Sequence, residues 1–156
     1  MPWRKQMKIR LLLSLAGLAV GFAFPTLAQE QNTVDPEVRH QIEAALSKYE
    51  KACNEYDTAA LVALYTQNAV EVLGPEMAGG AGGVASGREA VEKRYAAHFA
   101  SSPGKLSLKL VQMYAMGDEV CAISEFSHRF LAKKGYHAKI YVREADDWKI
   151  RMAYAN

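Results

Sequence analysis

The stretch Asn54-Glu55-Tyr56-Asp57-Thr58-Ala59-Ala60-Leu61-Val62-Ala63-Leu64-Tyr65-Thr66-Gln67-Asn68-Ala69-Val70-Glu71-Val72-Leu73 packs a helix end, a second helix and a first strand into a short span. Asp57 is a capping residue, and Leu61, Val62, Leu64 and Tyr65 follow it as the apolar positions of a short helix. Residues 69–73 alternate as a strand. Upstream, Asp35-Pro36 reads as a helix start, with Asp as cap and Pro at the first helical position. Val38, Ile42, Ala45, Leu46, Tyr49, Ala52, Cys53 and Tyr56 then recur at three and four, one apolar stripe on a helix of about twenty residues. Downstream, 74–85 is a glycine-bearing loop. Ser86-Gly87-Arg88-Glu89 has the form of a capping box opening a third helix, with Val91, Tyr95 and Phe99 inward. Residues 101–104 break it.

The remainder reads as sheet. Leu106, Leu108, Leu110, Gln112 and Tyr114 form one inward set, and Val120, Ala122, Ser124, Phe126, His128 and Phe130 the next. Ala138, Ile140 and Val142 follow, with Lys139, Tyr141 and Arg143 outward. Trp148, Ile150, Met152 and Tyr154 close the chain against outward Lys149 and Arg151. Directly paired residues of antiparallel strands share a face, so turn chemistry fixes a register. With Lys133-Lys134-Gly135 as a solvated turn and Gly135 left-handed, Phe130 pairs with Ala138 and His128 with Ile140. With Ala145-Asp146-Asp147 as the next turn and Asp147 left-handed, Val142 pairs with Ile150 and Ile140 with Met152. His128, Ile140 and Met152 then line up on the inner face. Cys121 falls on the outer face and Cys53 on the core side of the first helix, which argues against a bridge that an exported protein's compartment would permit.

The chain has 156 residues, 50% hydrophobic and 23% charged, enough for one globular domain and too apolar for disorder. Arg4, Lys5, Lys8 and Arg10 crowd the first ten residues; the other 15 basic residues face 17 acidic ones. A weakly acidic domain with no basic stripe argues against nucleic acid as a partner. Residues 11–24 carry no charge and lead to Thr26 and Ala28, small residues suited to signal-peptidase subsites. Fourteen helical residues span about 21 Å, short of a ~30 Å hydrocarbon core. The reading is a signal peptide at 1–28, a flexible arm at 29–34 and a domain at 35–156, exported to a periplasm or secreted, with no stable membrane anchoring after cleavage.

Four segments carry a resemblance. Asn54 to Leu61, Leu64-Tyr65-Thr66-Gln67-Asn68-Ala69-Val70, Gly87-Arg88-Glu89-Ala90-Val91, and Asp147-Trp148-Lys149-Ile150 with the final Asn156 resemble, in this order, motifs of SnoaL-like members of the nuclear transport factor 2-like superfamily. The resemblance implies an α+β cone: a curved antiparallel sheet wrapped around about three N-terminal helices, with an apolar pocket at its open end. Relatives include ketosteroid isomerase, polyketide cyclases, dehydratases and non-catalytic assembly domains, so fold alone does not choose a chemistry.

Set against the ketosteroid isomerase pattern, Tyr49 stands eight residues before Asp57, where those enzymes carry their oxyanion-donating Tyr. Their two carboxylate positions fall on Leu73 and about Ile140, and Leu supplies no base, which disfavours that reaction. Glu71 shares the parity of Leu73, and His128 lies beside Ile140 in the derived register. A Glu71–His128 pair in an apolar pocket is the acid–base candidate. The competing account has Glu71 in solvent and His128 as a hydrogen-bonded core residue. Tyr49, Tyr65, Gln112, His128, Met152 and Tyr154 are the candidate ligand-binding residues.

Gly82 to Glu89 comes one step from a phosphate-binding loop, but Arg88 and Glu89 replace the required Lys and hydroxyl residue, so a flexible loop is expected. His40, His98, His128 and His137 lack metal-ligand spacing, and neither a metal nor a cofactor is called for. The expected function is binding or processing of a small, largely apolar molecule, with the reaction unassigned. The alternative is a non-catalytic homodimeric scaffold, motivated by an outward set of Val111, Met113, Cys121, Ile123, Leu131 and Tyr141 that is rather apolar for a free surface.

Overall fold

In a computed structural model, residues 34–75, 83–101, 104–128 and 133–156 are described. Asp35 caps α1 (Pro36–Glu55), its carboxylate accepting from the backbone N–H of Glu37 at 2.8 Å and of Val38 at 3.3 Å. The helix buries Ile42, Leu46, Tyr49, Ala52 and Cys53, the stripe the sequence shows, and ends at a left-handed Tyr56. Asp57 caps α2 (Thr58–Val62) by accepting from Ala60 N–H at 2.9 Å. Val34 is buried with the core cluster although the expected arm includes it; the signal segment and the rest of the arm lie outside the described residues.

β1 (Tyr65–Leu73) begins four residues earlier than expected and takes Tyr65 from the helix into the sheet. It pairs antiparallel with β2 (Gly83–Ser86), a strand hidden within the segment read as a loop. Ser86 therefore ends a strand, and Gly87, at φ +86°, starts the third helix in place of the expected Ser cap. That helix is α3 (Arg88–Ser101), which packs Val91, Tyr95 and Phe99 inward as expected. β3 (Leu106–Met116), β4 (Glu119–His128), β5 (Lys133–Glu144) and β6 (Asp147–Ala155) complete a six-stranded sheet ordered β2-β1-β6-β5-β4-β3. The β1–β6 pair is parallel and all others are antiparallel. The curved sheet and its helices make the α+β cone that the resemblance implies.

Three irregularities correct the derived register. His128 pairs with Lys133, not Ile140, a slip of seven residues. The slip is odd, so it turns every β5 side chain over: His137, Lys139 and Tyr141 are buried, while Ile140 points to the outer face. Gly135 is no turn residue, and Lys133-Lys134 stand in the strand. Gly135 pairs with Phe126 inside the ladder, and a Cβ there would run into the Asn156 backbone carbonyl and then the Phe126 ring, so close packing selects glycine. The second irregularity is in β3, where Leu110 pairs with Ser124 but Gln112 with Ile123. Past this bulge Met113 is buried, against expectation, and Gln112 and Tyr114 are exposed. The third lies in β6: Ile150 opposes Tyr141 and Met152 opposes Ile140, leaving Arg151 as the extra residue. The Ile140–Met152 pair holds as derived, but both lie on the outer face, with Tyr154 exposed beyond them. Val142 pairs with Lys149, not Ile150, across a two-residue turn at Ala145-Asp146, and Ala145 rather than Asp147 has positive φ.

Candidate functional site

The inner face of the sheet carries a polar row in its centre. Through consecutive pairings, Ala85 of β2, Glu71 of β1, Ala153 of β6, Lys139 of β5, Ala122 of β4 and Met113 of β3 stand side by side. Glu71 and Lys139, each 2% exposed, are the charged members, and alanines flank both. An unpaired buried charge is costly, so each must be accounted for.

Among the described residues, every hydrogen-bond partner of the Glu71 carboxylate is a donor. Tyr95 Oη donates to Oε1 at 2.7 Å and Tyr65 Oη to the same oxygen at 3.1 Å. Arg94 Nη1 meets Oε2 at 3.3 Å and also donates to the Glu71 carbonyl at 3.2 Å. Tyr65 opens β1, whereas Arg94 and Tyr95 come from α3, one helical turn beyond Val91, which seats that face on the sheet. Tyr49 of α1 completes the chain, its Oη 2.5 Å from that of Tyr95. A phenol has one proton to give. Tyr95 spends its own on Glu71, so Tyr49 donates to Tyr95, and the open end of the relay at Tyr49 Oη accepts. Burial holds all three tyrosines well above the ordinary phenol range, and the Glu71 charge adds to this at each. They stay protonated donors at neutral pH.

This network forms one wall of a largely apolar cavity of about 130 Å³. Leu73, Phe99, Leu106 and Phe126 supply its apolar lining, and Cys53, with its thiol pushed up to about 12 by burial, belongs to the wall. Arg94, His98, His128 and His137 bring nitrogen donors. His128 packs on Gly104, where a Cβ would fall onto its ring, and its Nδ1 is buried with no hydrogen-bond partner among the described residues. Desolvation lowers the pKa of His98 and of His128, with mutual repulsion adding at His98.

Of the residues proposed from sequence, Tyr49, Glu71 and His128 meet at the cavity, and Tyr65 stands behind Glu71 as its donor. No hydrogen bond joins Glu71 to His128; the carboxylate is held by Tyr65, Tyr95 and Arg94. Met152 and Tyr154 lie on the opposite face because of the β6 bulge, and Gln112 is exposed because of the β3 bulge. Ile140, matched to a ketosteroid isomerase carboxylate, faces outward, and the inward neighbour is Lys139. Sequence reasoning missed Arg94, Tyr95, His137 and Lys139 as site residues. For Arg94 the signal was present, three residues past Val91 on a helix. For the β5 pair it was masked by the slipped register. Cys53 and Cys121 are free thiols, one buried in the core and one on the outer side of the sheet. Among the described residues no three side chains gather as metal ligands.

A curved sheet closing over helices around such a cavity defines the class: a small α+β cone domain with an internal pocket. The profile of the SnoaL-like domain matches residues 46–155, and the chain belongs to that family. No curated protein matches the sequence. Among solved structures, an NTF-2 like protein of unknown function from Shewanella oneidensis superposes with a TM-score of 0.64 at 17% identity, covering 76% of this chain and 98% of that one. A ketosteroid isomerase-like protein from Erwinia carotovora atroseptica gives 0.61 at 18% identity over 78% and 96% of the two chains. A putative calcium/calmodulin-dependent protein kinase type II association domain from Thiobacillus denitrificans gives 0.61 at 20% identity over 72% and 91%. At these identities the likeness is one of fold.

Proposed function

We propose that the chain is an exported SnoaL-like protein whose cavity takes a small, largely apolar molecule bearing one polar group, and that Glu71 exchanges a proton with that group. The observation that carries this is the buried Glu71 carboxylate at the wall of an apolar cavity, held by donors from three side chains. The free capacity of the cluster, at Oε2 of Glu71 and at Tyr49 Oη, is acceptor capacity. It suits a ligand that arrives with an acidic O–H, N–H or activated C–H, and the fixed donors limit reorganisation when charge moves. His128, whose ring lines the cavity, is the second polar side chain beside a ligand there. The basic start and uncharged stretch of 1–28 support export to a periplasm or outward secretion.

Thermal shift with small phenols, ketones and lactones tests the binding claim. The expected result is stabilisation of the wild type that falls at least severalfold in Glu71→Gln, a variant keeping the shape and the Arg94 contact. Equal stabilisation of both proteins would contradict it. Intact mass of exported material tests the address: the expected species lacks residues 1–28, and a retained segment contradicts the reading.

A second reading, a homodimeric scaffold, is favoured by the outer face. Tyr114, Cys121, Ile140, Met152 and Val70 form one row across it, and Ile123, Ala138, Tyr154, Val72 and Val84 the next. Met113 and Tyr141, first assigned there, are inside. The rows form a contiguous apolar band of the kind that marks an interface, and it leaves the cavity on the other face free.

A further inference from the structure

Lys139 is the charged group of the concave face that acid–base work at Glu71 leaves unused. A lysine ordinarily carries its ammonium out to water along a flexible stem. This one is buried, its Nζ 4.2 Å from the centroid of the Tyr49 ring and 3.1 Å from Nδ1 of His137. Tyr49 and His137 both line the cavity, so the amine stands one side chain behind its wall. Among the described residues no carboxylate comes within ion-pair distance of it; Glu71 is paired with Arg94. His137 offers no counter-charge, because burial, with the Lys139 charge adding, brings its pKa to about 2 and keeps it neutral. The flanking residues in the row, Ala122 and Ala153, are small, and to meet a molecule in the cavity the amine has to swing past Tyr49 or His137. A structural lysine would end on a carboxylate or in solvent; this amine ends on an aromatic face and a neutral imidazole beside an apolar cavity.

We propose that Lys139 is a carbonyl-capturing nucleophile: apolar aldehydes or ketones entering the cavity condense reversibly with its amine. The proposal rests on the cavity being the ligand site. The nitrogen lone pair forms a bond to the carbonyl carbon while the C=O π pair moves to oxygen. One amine hydrogen passes to that oxygen, giving a carbinolamine. The second leaves with the hydroxyl as water, and a C=N bond remains. No electrons are gained or lost overall. The environment favours the neutral amine that the first step needs: burial lowers the lysine pKa to about 8, with Cys53 and Glu71 opposing the shift. About one molecule in ten then carries a neutral amine at pH 7, far more than at an ordinary lysine. The titratable groups facing Nζ are His137 on its own strand, Tyr49 and Cys53 from α1, and Glu71 from β1.

The test is reductive trapping. The full chain is incubated at pH 7 with limiting hexanal and sodium cyanoborohydride, which fixes any imine as a stable secondary amine, and the product is peptide-mapped. Alkylation at Lys139 is expected to exceed that at exposed Lys48, Lys51 or Lys109 by about tenfold or more, following its larger neutral fraction. Hexanol, which fits the same space and forms no imine, is run in parallel by thermal shift. Stabilisation by hexanol with alkylation confined to surface lysines overturns the nucleophile and leaves the cavity reading standing. Absence of both stabilisation and Lys139 labelling overturns both. The mapping is done on the wild type, so it does not depend on how Lys139→Met folds; if that variant folds, it should lose the cavity label alone.

Discussion

The two faces of the sheet differ most at β5, and they differ in the opposite sense to the usual one. Along β4 alternation behaves ordinarily: Val120, Ala122 and Phe126 are buried, while Glu119 and Glu125 stay partly exposed. Along β5 the inward set is His137, Lys139 and Tyr141, and the outward set is Ala138, Ile140 and Val142. The concave face thus keeps its polar groups, and the convex face keeps its apolar ones. Burying a lysine and a histidine costs desolvation free energy that Ile or Val in their places would not. A cost of that kind at one spot, in a sheet otherwise built for packing, marks the spot as one where function sets the residues. The apolar convex band makes the complementary point, since exposed apolar surface gains its stabilisation only when something covers it.

That contrast can be broken from the concave side first. Arg94→Met removes the cation from the buried Glu71 carboxylate and should destabilise the protein by about 2–3 kcal/mol, below the full cost of breaking a buried pair because Arg94 is partly exposed. Urea denaturation reads this; a change under about 0.5 kcal/mol would mean that the tyrosines suffice. Lys139→Met should act in the opposite direction, stabilising by on the order of 1–3 kcal/mol near pH 7 by removing a buried ammonium that no carboxylate pairs. Its sign with pH follows from the lowered pKa, about 8 folded against 10.5 unfolded. Below pH 8 both states hold the proton and the penalty is fully present. Between pH 8 and 10.5 the folded state loses it first, so wild-type stability rises relative to the variant and the difference closes. A constant difference across that window would contradict the burial of the charge. Tyr95→Phe deletes the hydroxyl linking Tyr49 to Glu71 and should cost about 1–2 kcal/mol. Ile140→Glu on the convex face should have the smallest effect on unfolding, within about 0.5 kcal/mol for the isolated chain. It should nonetheless convert a dimer to a monomer in light scattering at micromolar concentration. A wild type that is already monomeric would remove the reason offered for the band.

Much of the fold was legible because helix signals are local. The stripe from Ile42 to Cys53, the Asp35 and Asp57 caps and the Val91-Tyr95-Phe99 face can each be read within one segment, and the structure keeps all of them. The parity of Glu71 and of β4 was legible for the same reason. Strand register was not, because it depends on where turns and bulges fall. Gly135 resembles a turn glycine, yet it stands where the Asn156 carbonyl and the Phe126 ring leave no room for a Cβ. One extra residue at Arg151 and the shift after Leu110 moved Met152, Tyr154, Gln112 and Tyr114 to the other face. The most apolar β5 set was assigned inward by default, and the default fails where the outer face is itself apolar. The site was therefore half visible: Tyr49, Glu71 and His128 could be proposed, while Lys139 and His137 were hidden behind the inverted strand.

The most direct test is to fill the cavity from its apolar side. Leu73 lines the cavity two residues along β1 from Glu71 and takes no part in the carboxylate's hydrogen bonds. Leu73→Trp should occupy the space while leaving the network in place. Titration of wild type and variant with one apolar ligand, followed by melting temperature, is the measurement. If the concave cavity is the ligand site, the ligand raises the melting temperature of the wild type and leaves that of the folded variant unchanged. Equal stabilisation of the two proteins would place binding elsewhere and contradict the assignment of the concave face to a ligand.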